Sequence, residues 1–314
     1  MAGFETILNS ILTLGLAMAF GFIAVKTGYI SEDVKNAISK VIIKITMPIL
    51  VITALTKVTL DQEKIINSLL VVGIAVVSIA VLYGTGILIS RMFHMDRPRA
   101  IVHQCLTAFG NVVFLGYPLI RAIYGEEGML YAALYGFAND LFVWTLAVYQ
   151  LATIAGKGKS TRENLKNLIN PATIAFVVSF IMMIFGLKFT GILGNVLDGI
   201  GSMTTYLSML FIGGTLALVD FRKIYKRVSL FLLVAVKMLV IPVLLILILR
   251  LFPLDPMVKG IIILQVAMPS QTILTILTTE YKGDVIWAAE GVFITTVASL
   301  ATLPAVYYLM TMFG

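Results

Sequence analysis

The stretch AFGNVVFLGYPLI, residues 108–120, decides how this chain is read. It lies inside an apolar run, 100–124, long enough to cross a bilayer. Yet it carries Gly110, Asn111, Gly116 and Pro118 in the middle of that run. Proline has no backbone donor, and its ring clashes with the preceding turn, so the helix is expected to break just before Pro118. A break at membrane depth leaves backbone groups that lipid cannot satisfy, so it must line a polar cavity or pack within protein. A second stretch, QVAMPSQTILTI at residues 265–276, repeats the pattern around Pro269. Interrupted helices at corresponding places in two halves of a chain point to a substrate site in a secondary transporter.

Composition places these stretches in a membrane protein. The 314 residues are 60% hydrophobic and 12% charged, with a mean hydropathy of +1.01; soluble domains run nearer about 45–50% apolar. The net charge of +7 comes from basic residues that fall between apolar runs. They read as topology signals, and no nucleic-acid partner is expected. The single cysteine, Cys105, excludes an internal disulfide and reads as a packed thiol. His94 and His103 have no clustered Cys or acid, so neither a metal nor another cofactor is expected. The N-terminus carries Glu5 and no Lys or Arg, unlike a cleavable signal peptide.

Ten apolar runs follow: 4–25, 37–55, 65–89, 100–124, 129–155, 172–187, 192–219, 229–249, 261–279 and 285–312. The sixth is short and starts at Asn170-Pro171, a good cap followed by proline at the first helical position. The odd-numbered connections hold fourteen Lys and Arg and the even-numbered ones six. The odd connections are therefore expected in the cytoplasm, with both termini outside, in a multi-pass protein of the cell inner membrane. The polar, basic segment 156–170 divides the chain into a first five-helix repeat, 1–155, and a second, 171–314. Five is odd, so the second repeat enters from the opposite face and is inverted. Asp61 has a counterpart in Asp220, and Tyr124, Ala132-Ala133 and Gly136 in Tyr281, Ala288-Ala289 and Gly291.

Asn111-Val-Val-Phe114-Leu-Gly116-Tyr-Pro118 resembles the fourth-span motif of the auxin efflux carrier family, whose bacterial members often read Asn-x-Gly-Phe-x-Gly-x-Pro. Ala267-Met268-Pro269-Ser270 resembles the ninth-span motif, and Met47-Pro48 and the turn Tyr281…Gly283-Asp284 are similar too. Val113 stands where the family usually has glycine, which bears on close backbone approach at that point. The resemblance runs the whole chain. It implies an all-α membrane protein of the bile acid/auxin carrier-like architecture. That means ten transmembrane helices as two inverted five-helix repeats, crossed broken helices in the fourth and ninth spans, and core plus panel domains. It further implies transport of a small organic anion: malonate, malate and similar carboxylates in bacterial relatives, auxin in plant ones.

The candidate site residues follow from both lines. A half-helix that starts at a break offers free donors and a partial positive charge to an anion. Gly116 and Pro118 would start one such half-helix, and Met268 and Pro269, followed by Ser270, Gln271 and Thr272, another. Asn111, Ser270, Gln271 and Thr272 could add side-chain donors, with Phe114 in the same motif and Pro48 facing the cavity from the panel side. Plain kinks in packed helices would leave the same sequence marks. Asn139, Asp140, Lys237 and Glu290 lie far from the connections, where a charge costs about 2.5–3.5 kcal/mol. Asp140 is roughly 16 Å and Lys237 about 15 Å into their spans, so a charge pair between them is expected. Glu290 is expected to reach the interface.

The expected function is secondary active transport of a small organic anion by alternating access, with protons as a candidate co-substrate and a homodimer as a candidate assembly. Asn139-Asp140 also resembles the Asn-Asp pair of cation/proton antiporters, which keeps such an antiporter as an alternative. A non-transporting sensor or an intramembrane enzyme is the alternative of another class. The sequence shows no nucleophile triad or paired-Asp motif, and no enzyme activity is expected.

Overall fold

The computed structural model describes residues 2–59, 61–155, 171–219 and 221–313. The expected linker 156–170 and Asp220 lie outside the described residues. The described residues are mostly helical, and among them the one β-bridge pairs Gly110 with Ser270. Helix α1 covers Ala2–Lys26. Helices α2 (Glu32–Val41) and α3 (Met47–Lys57) are joined by a π turn, Ile42–Thr46. Helix α4 is Gln62–Met92 and α5 is Arg97–Ala108. A π turn at Val112–Gly116 leads into α6, Tyr117–Phe142, and another at Val143–Ala147 leads into α7, Val148–Ile154. Then come α8 (Pro171–Ile184), α9 (Gly191–Ala217) and α10 (Val228–Ala235), which continues through a π turn, Val236–Val240, into α11 (Ile241–Leu249). Helices α12 (Pro256–Val266), α13 (Ile273–Glu280) and α14 (Val285–Phe313) complete the order.

Among the described residues, six helical stretches are long and apolar enough to cross a membrane: Leu8–Lys26, Glu32–Lys57, Gln62–Met92, Gly191–Ala217, Val228–Leu249 and Val285–Phe313. Large apolar side chains such as Leu16, Phe20, Leu69 and Leu88 stand exposed on them, as a lipid-facing surface requires. The protein is a multi-pass, all-helical membrane protein. The fourth and ninth apolar runs form no continuous helix of that length, because each is interrupted. In the fourth run α5 ends at Ala108, and in the ninth α12 ends at Val266. Helix α6 is itself interrupted at Gly125, whose φ of 64° is open to glycine, and the fourth and fifth runs were divided at that point.

The first break lies elsewhere than Pro118 led us to expect. The backbone leaves the helix at Phe109–Asn111, and Gly116 and Pro118 lie in helical backbone, at a π-to-α transition. Three π turns immediately precede a proline at the second position of the next α segment: Pro48, Pro118 and Pro242. Widening the turn relieves the clash of the ring with the carbonyl four residues back, so each proline bends a helix without ending it. At Pro269 the expectation holds, and residues 267–272 are non-helical.

The chain folds as two compact units, each drawn from both halves of the sequence. The first comprises residues 1–71, 113–137 and 169–218. In it α1 lies against α9 so closely that a Cβ on Gly21 would overlap the Leu210 backbone and one on Gly213 the Met18 carbonyl. Small residues at such a contact let two membrane helices pack backbone to backbone. The second unit comprises residues 72–112, 138–168 and 219–314. Its core joins Cys105, Phe109, Val143, Leu151, Leu233, Leu274 and Trp287.

Candidate functional site

The two helix breaks meet inside the second unit. Asn111 donates its N–H to the Pro269 carbonyl at 2.7 Å, and Gln271 donates to Phe109 at 3.1 Å. These two bonds form an antiparallel bridge with Gly110 opposite Ser270. The bridge answers the requirement set by the broken helices: backbone groups released at one break are satisfied by the other. Gly110 permits the approach, because a Cβ there would sit 3.2 Å from Met268 Cβ and 3.3 Å from Val112 Cγ1. Close approach thus falls on Gly110, and the family's usual glycine at position 113 is not needed for this bridge.

Side chains extend the bridge into a network. Asn111 donates through Nδ2 to Thr272 Oγ1 at 3.1 Å. Asn139 Oδ1 accepts from the Gly110 N–H at 3.3 Å, and its Nδ2 donates to Gln271 Oε1 at 3.2 Å. Gln271 Nε2 donates to Asp140 Oδ1 at 3.3 Å, with Asn139 Nδ2 3.5 Å from the same oxygen. Ser270 donates its hydroxyl to the Leu106 carbonyl at 2.7 Å and its N–H to Thr295 Oγ1 at 3.1 Å. The structure therefore brings Asn111, Pro269, Ser270, Gln271, Thr272, Asn139 and Asp140 into one place. Met268 is buried at the same break. Four other expected site residues belong to the first unit. There Pro48 and Pro118 each follow a π turn, Gly116 closes one, and Phe114 packs 5.5 Å from Phe211.

The expected Asp140–Lys237 pair is not formed. Lys237 is fully buried, and its Nζ donates to the carbonyls of Leu106 (2.9 Å), Thr107 (3.0 Å) and Phe109 (2.8 Å). An ammonium has three hydrogens, and all three are used. The acceptors are the open carbonyls at the C-terminus of α5, the negative end of that half-helix, so they replace a carboxylate as the partner of the charge. Among the described residues no ion pair reaches Asp140, which is half-buried and held by the two amides. Glu290 pairs with Arg227 at 3.1 Å, in keeping with a position at the helix end.

What is left open defines what the site can bind. The N–H groups of Thr272 and Ile273 at the start of α13, and that of Val112 at the start of the other outgoing segment, have no acceptor among the described residues. Neither does the Thr272 hydroxyl hydrogen. Two helix starts with free donors make a place for an anion or a polar oxygen. Asn111 Oδ1 is buried with no donor. The Gln265 amide and the Thr296 hydroxyl are also buried without partners. Sequence reasoning marked Gly110 within the interrupted run but passed over Gln265, Thr295 and Thr296 as site residues; these three are polar residues inside apolar runs, and that was the available signal.

Relatives share this chain along its length. It is 28% identical to an uncharacterized transporter of Methanothermobacter thermautotrophicus over 306 residues, 97% of each chain. It is 23% identical to another of Methanocaldococcus jannaschii over 306 residues, 94% of this chain and 96% of the other. The family described as membrane transport protein matches residues 6–307. With paired helix breaks inside a multi-pass helical protein, the chain belongs to that family, the auxin efflux carriers, and is a membrane transporter.

Proposed function

We propose that the protein is a secondary active transporter of a small organic anion, a carboxylate of the malonate or malate kind, working by alternating access. The observation that carries the reading is the bridge between the two helix breaks. It gathers uncapped helix starts and amide side chains at one buried point of the second unit. Both starts present donors, which suits a carboxylate. In this reading the second unit is a core domain and the first a panel. The ten apolar runs are ten spans in two inverted repeats joined by 156–170, and both termini lie outside.

Asp140 gives the reading its coupling. Among the described residues no cation pairs with it, and it shares Gln271 with the bridge. An anion held at the α13 start is repelled by an ionised Asp140 and tolerated by a protonated one, so anion and proton bind together and move together. The same unpaired carboxylate also favours a second reading, a cation/proton antiporter in which Asp140 is the ligand.

Proteoliposomes separate the two. The anion reading predicts saturable uptake of labelled malonate or malate that collapses with the pH gradient. Sodium flux driven by a pH gradient, without any organic acid transported, would replace it with the antiporter.

A further inference from the structure

At one end of the second unit the α4 C-terminus, the α5 and α10 N-termini and the start of α14 border an open cavity of about 420 Å³. Its lining includes Phe93, Arg99, Lys226, Arg227 and Trp287. We propose that this cavity holds the phosphate of an anionic phospholipid headgroup, separately from the substrate site.

Four features converge on a phosphate. First, each arginine is held by one edge. Arg99 Nε donates to Asp284 at 2.8 Å and Arg227 Nε to Glu290 at 3.1 Å. The Nη groups of both make no hydrogen bond among the described residues, so two guanidinium edges stay open for a tetrahedral oxyanion. Second, the guanidinium carbons lie 5.0 and 5.4 Å from the centre of the Trp287 ring, which fixes both cations against one aromatic surface. Third, Trp287 is 4% exposed and its Nε1 is a buried donor with no acceptor. Indole has no lone pair to offer, so its unmet need is for an acceptor oxygen. Fourth, α5 and α10 both begin here without a side-chain cap, and the N–H groups of Val228 and Ser229 have no acceptor among the described residues.

Asp284 and Glu290 balance the two arginines, Asp96 lies 3.9 Å from Arg99, and Lys226 is exposed. The site is therefore suited to a single negative charge rather than a polyanion. The surroundings favour a lipid as its source. The cavity lies at the ends of Gln62–Met92 and Val228–Leu249, both long enough to span a membrane, and so at headgroup level. Beside the charged mouth stand the exposed apolar side chains of Met92, Phe93 and Val228, where acyl chains would lie.

The chain has two tryptophans, so Trp144→Phe leaves Trp287 as a single reporter inside the cavity. That variant, purified in a neutral detergent, is titrated with dihexanoyl phosphatidylglycerol, dihexanoyl phosphatidylcholine and inorganic phosphate, following Trp287 emission. The expected result is a saturable change with phosphatidylglycerol, at least tenfold weaker binding of the other two, and about a tenfold loss for Arg99→Gln or Arg227→Gln. Saturation by inorganic phosphate at equal or lower concentration makes this a site for a soluble anion and overturns the lipid. Equal responses to the two lipids overturn it too. Should either arginine variant fail to fold, Lys226→Gln removes an exposed charge outside both arginine pairs. A severalfold loss of phosphatidylglycerol affinity supports the site, and an unchanged affinity contradicts it.

Discussion

Lys237 sits where no water reaches, with three backbone carbonyls as its partners. Ser270 and Gln271 still donate to the Leu106 and Phe109 carbonyls, so Lys237→Met strips the Thr107 carbonyl of its one donor among the described residues, costs about 1–3 kcal/mol, and is expected to melt below wild type in detergent. Lys237→Arg should not rescue it, because a planar fork cannot reproduce three converging bonds. A melting temperature equal to wild type for Lys237→Met would remove the lysine from the account. Asn111→Ala keeps the backbone bridge and deletes one amide. It should weaken organic-acid binding by about 1–3 kcal/mol in a ligand-induced thermal shift, and an unchanged midpoint concentration would count against a direct role. The sequence flagged Lys237 and Asp140 correctly as charges needing a reason. It mispaired them because depth along a span says nothing of direction around the helix. The true partners of Lys237 are carbonyls, which carry no mark in a sequence.

Among the elements, the break in the fourth run was legible as a break and misplaced in register. Pro118 announced it, but a π turn absorbs that proline, and the chain opens at Phe109–Asn111, beside Gly110 and Asn111. Pro269 has no such turn before it, and there the break falls where the sequence puts it. Gly110→Ala tests the bridge. Its Cβ would press on Met268 Cβ at 3.2 Å and Val112 Cγ1 at 3.3 Å, a tightness expected to cost about 1–3 kcal/mol and to slow transport. Gly73→Ala, with nothing within 4 Å of the added carbon, is the matching control; it should be neutral or slightly stabilising, by up to about 1 kcal/mol. Thermal melts that rank the two variants the other way would show that the bridge tolerates separation.

For the whole molecule, composition and run lengths disclosed an all-helical membrane protein, while the grouping into two interleaved units required contacts that no single run contains. The charge pattern makes one further prediction, on orientation. Cys105 is buried, so a cysteine placed at Lys188 or Lys282 is the accessible thiol. In intact cells Lys188→Cys should react with an impermeant maleimide, and Lys282→Cys only after permeabilisation; labelling of both from one side would undo the topology. The central claim is that an anion and a proton share the bridge through Asp140. It is tested most directly by labelled malonate transport in proteoliposomes, comparing wild type with Asp140→Asn under an imposed pH gradient and in equilibrium exchange. The account predicts gradient-driven accumulation by wild type, and exchange without accumulation by Asp140→Asn. Equal accumulation by both proteins, or no malonate movement in either, would contradict it.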